Sequence, residues 1–150
     1  MSDLPAEVAA GILALALPTF ETTPWTPAKP LREARIAIVT TAGLHRGSDE
    51  RFVGGAADYR LLPADVDYAD LAMSHVSVNF DRTGFQQDVN VVFPLELLHE
   101  LAAQGEIGSV ARWHYSFMGA TDPTRMVETG PQVGGLLRQD GVDVALLVPV

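Results

Sequence analysis

Apolar and polar positions fall into blocks whose lengths predict alternating strands and helices. Residues 35–42 (RIAIVTTA) are β-branched and apolar and stop at Gly43, the pattern of a strand buried on both faces of a parallel sheet. Residues 58–63 (DYRLLP) read as a short strand whose proline suits a sheet edge. Residues 72–78 read as a central strand that runs out into a polar stretch crowded with Asn79, Asp81, Arg82, Thr83, Gln86, Gln87, Asp88 and Asn90. Residues 94–104 place Leu95, Leu98 and Leu101 at helical spacing, with Glu96 and Glu100 opposed, and Gly105 closes the helix. A further strand is predicted over 111–118. Thr121, Asp122 and Pro123 then start a helical stretch that Gly130-Pro131 kinks or divides. Residues 142–150 (VDVALLVPV) form a second continuous apolar strand. This order argues an α/β fold: a mostly parallel sheet with helices on both faces, incomplete as a domain.

The first thirty residues follow another pattern. Residues 5–17 are rich in alanine and leucine, with Pro5 suited to a first helical turn. The apolar side chains Val8, Ile12, Leu13, Leu15 and Leu17 cover much of that helix, which predicts burial against a neighbour or a partner subunit. Prolines 18, 24, 27 and 30 make the next segment an extended connector, with Trp25 expected to pin it to the core. The domain reading is therefore an N-terminal helix and connector over 1–30, and an α/β domain over 31–150.

Composition narrows the function. Apolar residues make up 47% and charged residues 19%, which excludes a disordered chain. Ten Lys plus Arg against 19 Asp plus Glu give a net charge of −9, with no basic run to offset it. That charge repels phosphate backbones and anionic lipid, so neither nucleic acid nor a membrane is an expected partner. The apolar run 8–17 is half the length a spanning helix needs, and no basic region precedes it, so a cytoplasmic location is expected. There is no cysteine, which removes disulfides, thiolate metal sites and cysteine nucleophiles from these residues.

The candidate chemistry lies at strand ends, where α/β proteins build sites. His45 follows the first strand, His75 lies in the second apolar stretch and His114 in the third. Imidazole serves as acid, base or ligand near neutral pH. These three with Asp81 could line one substrate-binding rim, and a His/carboxylate metal site is the alternative use of the same groups. No paired spacing such as H-x-x-x-H fixes two of them together, so no metal ligands are assigned. His99 is read as a packing residue. Thr40, Thr41, Ser74, Ser77 and Ser116 offer hydroxyls, but no G-x-S-x-G elbow surrounds any of them, and no catalytic set is assigned. The G-x-x-x-G of residues 43–47 lacks the Lys-Ser/Thr of a phosphate loop.

Several ordered blocks carry a more specific signal. VTTAGLHRGSDERF, DYRLLP, SHVSVNFDRTGFQQDVNVVFPLELL, GEIGSV and HYSFMGAT resemble the glycine/sarcosine/betaine/D-proline reductase selenoprotein B family, from about Trp25 to Val150. The resemblance implies an α/β protein that reductively cleaves a carbon–nitrogen bond of an amino acid or derivative, together with other reductase subunits. It implies a selenocysteine, or cysteine in some members, in the part that follows the matched region. A selenolate fits such chemistry as an extension of the low-pKa thiolate. This sequence holds neither residue. The expectation is that Val150 precedes a selenocysteine codon and that selenocysteine belongs to a longer product, a short homologue being the competing reading. Carried onto matching positions, His45, His75, Asn79, Asp81 and His114 would face the substrate. A binding or assembly subunit and a metal-dependent hydrolase or lyase are the alternatives, and the apolar ends leave self-association open.

Overall fold

The computed structural model describes residues 5–14, 19, 21, 23, 25–77 and 82–150. Its main sheet is built about β1 (Arg35–Thr40). On one side β1 pairs in parallel with β7 (Val144–Val148), from Ile36 opposite Val144 to Thr40 opposite Val148. On the other side it pairs in parallel with β5 (Ser109–Val110) and then with β6 (Trp113–Ser116). β3 (Arg60–Pro63) adds an antiparallel strand outside β6, with Leu62 opposite His114. The sheet is therefore mixed, where the sequence predicts a mostly parallel one.

A separate antiparallel ribbon joins β2 (Leu44–Arg46) to β4 (Leu71–Met73). Residues 72–78 thus do not supply a central strand. Pairing stops at Met73, and the Ser74 N–H turns to the Gly43 carbonyl at 3.0 Å. The polar residues Ser74, His75 and Ser77 that interrupt the apolar pattern are the ones that leave the ladder.

Side chains of β1 alternate between two cores. Ile36 and Ile38 pack with Leu62, Phe93, Leu95 and Leu98 beneath α3 (Leu95–Ala103). Val39 joins Tyr115, Phe117, Val133 and Leu136 beneath α4 (Thr129–Gln139) on the other face. The first turn of α3 has no side-chain cap on Pro94; instead the Tyr68 hydroxyl accepts from the Leu95 and Glu96 N–H groups at 3.0 and 3.1 Å. The stretch after Thr121 divides into a 3₁₀ turn, Pro123–Met126, and α4, whose first turn takes Gly130 and Pro131. The polar run becomes α2 (Thr83–Gln87) and a 3₁₀ turn that Asp88 caps by accepting from the Asn90 N–H at 2.9 Å.

Val8 and Leu13 of α1 (Ala6–Leu13) are exposed in this chain. The expectation for Trp25 is corrected: it is 87% exposed and is not pinned to the core. The connector first grips the body beyond it, through Lys29 on Asp143 at 2.9 Å. Nor is β7 buried: among the described residues it is an edge strand, and Leu147 is exposed.

The side of β1 that faces β5 and β6 has a gap. Arg112 steps out between those strands, and the backbone donors left behind take side-chain partners. Ile38 N–H donates to His114 Nδ1 at 2.9 Å. Arg112 and Trp113 N–H groups donate to Asp140 Oδ2 at 2.7 and 3.2 Å, and Asp140 Oδ1 receives the Arg35 guanidinium at 2.6 Å. Burial alone would raise the Asp140 pKa, but hydrogen bonds from Arg35, Trp113 and Arg112 hold it below the ordinary carboxylate range. Asp140→Ala is therefore expected to cost about 3 kcal/mol at pH 7. This contribution is complete above the ordinary unfolded value of ~3.9 and is lost as pH falls through the lowered native value. Denaturant titrations at pH 7 and at steps down to pH 3 check both points, since the variant should lack the acid-dependent part.

Candidate functional site

The connections of the main sheet fork at one place. From β1 the chain travels to β5 and β6 on one side, with α3 on one face; α4 then crosses the other face and returns it to β7 on the far side of β1. The carboxyl ends of β1 and β7 therefore lie at the topological switch point of the sheet, the crevice position at which open α/β sheets bind ligands.

Close backbone contacts close the floor of this crevice. Val150 N–H donates to Thr41 Oγ1 at 2.8 Å, and Gly119 N–H donates to the Thr41 carbonyl at 2.8 Å. A Cβ on Gly119 would lie 2.5 Å from the Val150 carbonyl oxygen, so only glycine fits there. Gly43 has φ +67°, and a Cβ on it would press on the backbone of His75 at 3.1 Å. These contacts hold residues 74–77 against the ends of β1 and β7.

His75 is the titratable group that this arrangement brings to the crevice. It is 5% exposed, and its Nδ1 accepts from the Ser77 N–H at 3.2 Å, which leaves the ring proton of the neutral form on Nε2. Burial lowers its pKa, the Val150 carbonyl pulls it back up, and the Arg82 guanidinium lowers it further. The net shift is downward, so the imidazole is neutral at pH 7. Arg82, at the start of α2, donates to the His75 carbonyl at 2.5 Å and keeps a cation beside it.

His45 lies on the other side of this segment, 2% exposed. Its Nδ1 faces the Arg46 carbonyl at 2.7 Å and must donate to it; its Nε2 then accepts the Ser74 hydroxyl at 2.8 Å. Sequence reading found no base for Ser74. Antiparallel pairing of His45 with Ala72 supplies one, which spacing along the chain does not reveal. Arg82, Thr41 and Gly119 were also missed as site residues, and the density of polar groups around Arg82 was the one available signal.

His114 is not brought to this rim. It is fully buried, its Nδ1 is committed to Ile38, and its ring meets Phe93 edge-on with centroids 5.6 Å apart. Asn79 and Asp81 lie outside the described residues. Among the described residues no group of three or more His, Asp or Glu is placed to hold a metal. A surface cavity of about 530 Å³ beside the ribbon, lined by Arg46, Asp70 and Ala72 among others, does not include His75. No described helix is long and apolar enough to cross a membrane.

The model of the glycine/sarcosine/betaine reductase selenoprotein B family matches residues 13–149. The chain belongs to that family. It is 35% identical over 127 residues to D-proline reductase subunit gamma of Acetoanaerobium sticklandii, covering 82% of this chain and 52% of the relative. It is 28% identical over 139 residues to the glycine reductase complex component B subunit gamma of Carboxydothermus hydrogenoformans, covering 89% of this chain and 32% of the relative. A betaine reductase complex component B subunit beta of Peptoclostridium acidaminophilum is 28% identical over 126 residues, 81% of this chain and 29% of the relative. The chain thus spans about half, or about a third, of the length of these relatives. No solved structure matches it significantly. The region matched to the selenoprotein B family includes Thr41, Gly43, His75, Arg82 and Gly119.

The surroundings of His114 in this family member generate a pH prediction. Burial, with His99 adding to it and Asp140 opposing it, lowers the His114 pKa from 6.5 to about 4. The unfolded chain therefore takes up this proton first as pH falls. The stability it represents is fully present above pH ~6.5 and about 3 kcal/mol is lost by pH ~4. Histidine-resolved NMR titration should find this imidazole neutral at pH 5. His114→Gln should flatten the stability profile between those limits.

Proposed function

We propose that this chain forms the substrate-binding wall of a reductase of the selenoprotein B type, acting on a carbon–nitrogen bond of a small amino acid or derivative in the glycine, sarcosine, betaine or D-proline class. What supports the reading is that His75, in a chain of this family, is set beside the ends of β1 and β7 at the switch point of the sheet, with a cation beside it. The neutral imidazole turns its Nε2 proton to the Val150 carbonyl, and in this reading the substrate replaces that carbonyl as the acceptor. When charged, the imidazole can give up a proton to the departing nitrogen. The Arg82 guanidinium suits the carboxylate common to these substrates. His45, Asn79 and Asp81 remain part of the proposed lining, with His45 holding Ser74 and so the segment that carries His75. His114 is assigned to the sheet and not to the substrate.

These 150 residues contain no cysteine, so in this reading the selenolate or thiolate that supplies the electron pair is carried by polypeptide outside them, and other subunits of a reductase complex are the working partners. A binding or assembly subunit without redox chemistry is the competing reading. The two are separated in the assembled complex purified with its partner subunits. His75→Ala is expected to lower kcat/KM for amine release by about 100-fold or more. Because the proton-donating form is lost as pH rises through a native pKa lowered from 6.5, wild-type kcat/KM should already decline with rising pH below pH ~6.5, and the variant should lack this decline. Full activity in the variant would overturn the assignment of His75, and an assembled complex that releases no amine from any of the four substrates would favour the binding subunit.

A further inference from the structure

The composition and the surroundings of β7 disagree. Its sequence, VALLV, is apolar on both faces, as in a strand inside a parallel sheet. Yet Leu147 is 69% exposed and Leu146, on the opposite face, is 37% exposed. Among the described residues no strand lies on its outer side. The Thr41 N–H donates to the Val148 carbonyl at 3.1 Å on the β1 side, and the alternation of a parallel ladder then points the Leu147 amide outward. No charge, proline or bulge within β7 protects this edge, the devices that natural sheets use on edges meant to stay free.

We infer that β7 is an interior strand of a larger parallel sheet. Its neighbour is supplied by polypeptide equivalent to the part of D-proline reductase subunit gamma that this chain does not match. The chain covers 52% of that relative, so the unmatched part is about as long as the domain described here, enough for a strand and for helices over both faces of β7. A second copy of this chain does not meet the same need. It would bring an equally bare β7 and leave Leu147 uncovered, and two chains of net charge −9 repel each other. A parallel neighbour also has a geometric consequence: its carboxyl end stands across Val150 from Thr41 and gives the crevice at His75 its missing wall. This inference rests on β7 and on the relative's length, and it stands or falls independently of the reductase assignment.

The test uses the intact protein in its assembled form, purified from cells. Hydrogen exchange should find the Leu147 amide protected at least about 100-fold relative to the exposed amide of Ser48. Leu147→Asp should lower the yield of soluble assembled protein at least about tenfold, whereas Val127→Asp, at an exposed valine outside β7, should leave it unchanged. Where Leu147→Asp yields no folded protein, the exchange measurement decides alone. Rapid exchange at the Leu147 amide in the assembled protein overturns the inference. So does protection of that amide in a dimer of this 150-residue chain alone, which would assign the edge to self-pairing.

Discussion

β1 has to stay in register with two neighbours although one of them is broken. Where Arg112 leaves the ladder, an unpaired backbone donor in the interior costs about as much as the hydrogen bond it has lost. His114 and Asp140 remove that cost. The imidazole accepts from Ile38 inside the sheet, and the carboxylate accepts from Arg112 and Trp113 at its margin while holding the Arg35 side chain. Asp143 adds a second grip at the same end, through the Arg35 N–H at 3.0 Å. With its amino end fixed in this way, β1 delivers Thr41 to the point where it meets Gly119 and Val150. The crevice is thus a consequence of side chains at the opposite end of the sheet.

That dependence marks what was readable in the sequence. β1, α3 and β7 follow from apolar runs and helical spacing, and their positions along the chain come close to expectation. The two glycines of the crevice and the exposure of β7 do not, because each depends on which strand lies beside which. Residues 72–78 fail for a different reason. Their β-branched and apolar content suits a strand, but every second or third residue is polar and needs a partner that a ladder does not provide. Trp25 is the plainest case: a large apolar side chain in a proline-rich connector predicts an anchor, yet it is 87% exposed.

The histidines show why residue type alone does not locate a site. His45, His75 and His114 are all at least 95% buried, and each has a ring nitrogen engaged by backbone. What separates them is the group that backbone contact leaves over. At His114 the remaining Nε2 faces the apolar interior, so the ring is held neutral and ends in the sheet. At His45 it goes to Ser74, a short polar link within the same segment. At His75 it is turned toward the Val150 carbonyl at a fork in the topology, with Arg82 nearby.

Geometry favours His75 for a further reason. A lowered pKa makes an imidazole a weaker base and its protonated form a stronger acid, the property required for passing a proton to a departing amine. Burial produces the shift, and burial at a strand terminus is maintained only while the surrounding backbone approaches closely. Gly43 and Gly119 permit that approach, and Thr41 fastens β7 to it. The acidity of His75 is therefore set by the same contacts that align the ends of β1 and β7. Any movement of β7 relative to β1 would change the position of the ring and its proton affinity together.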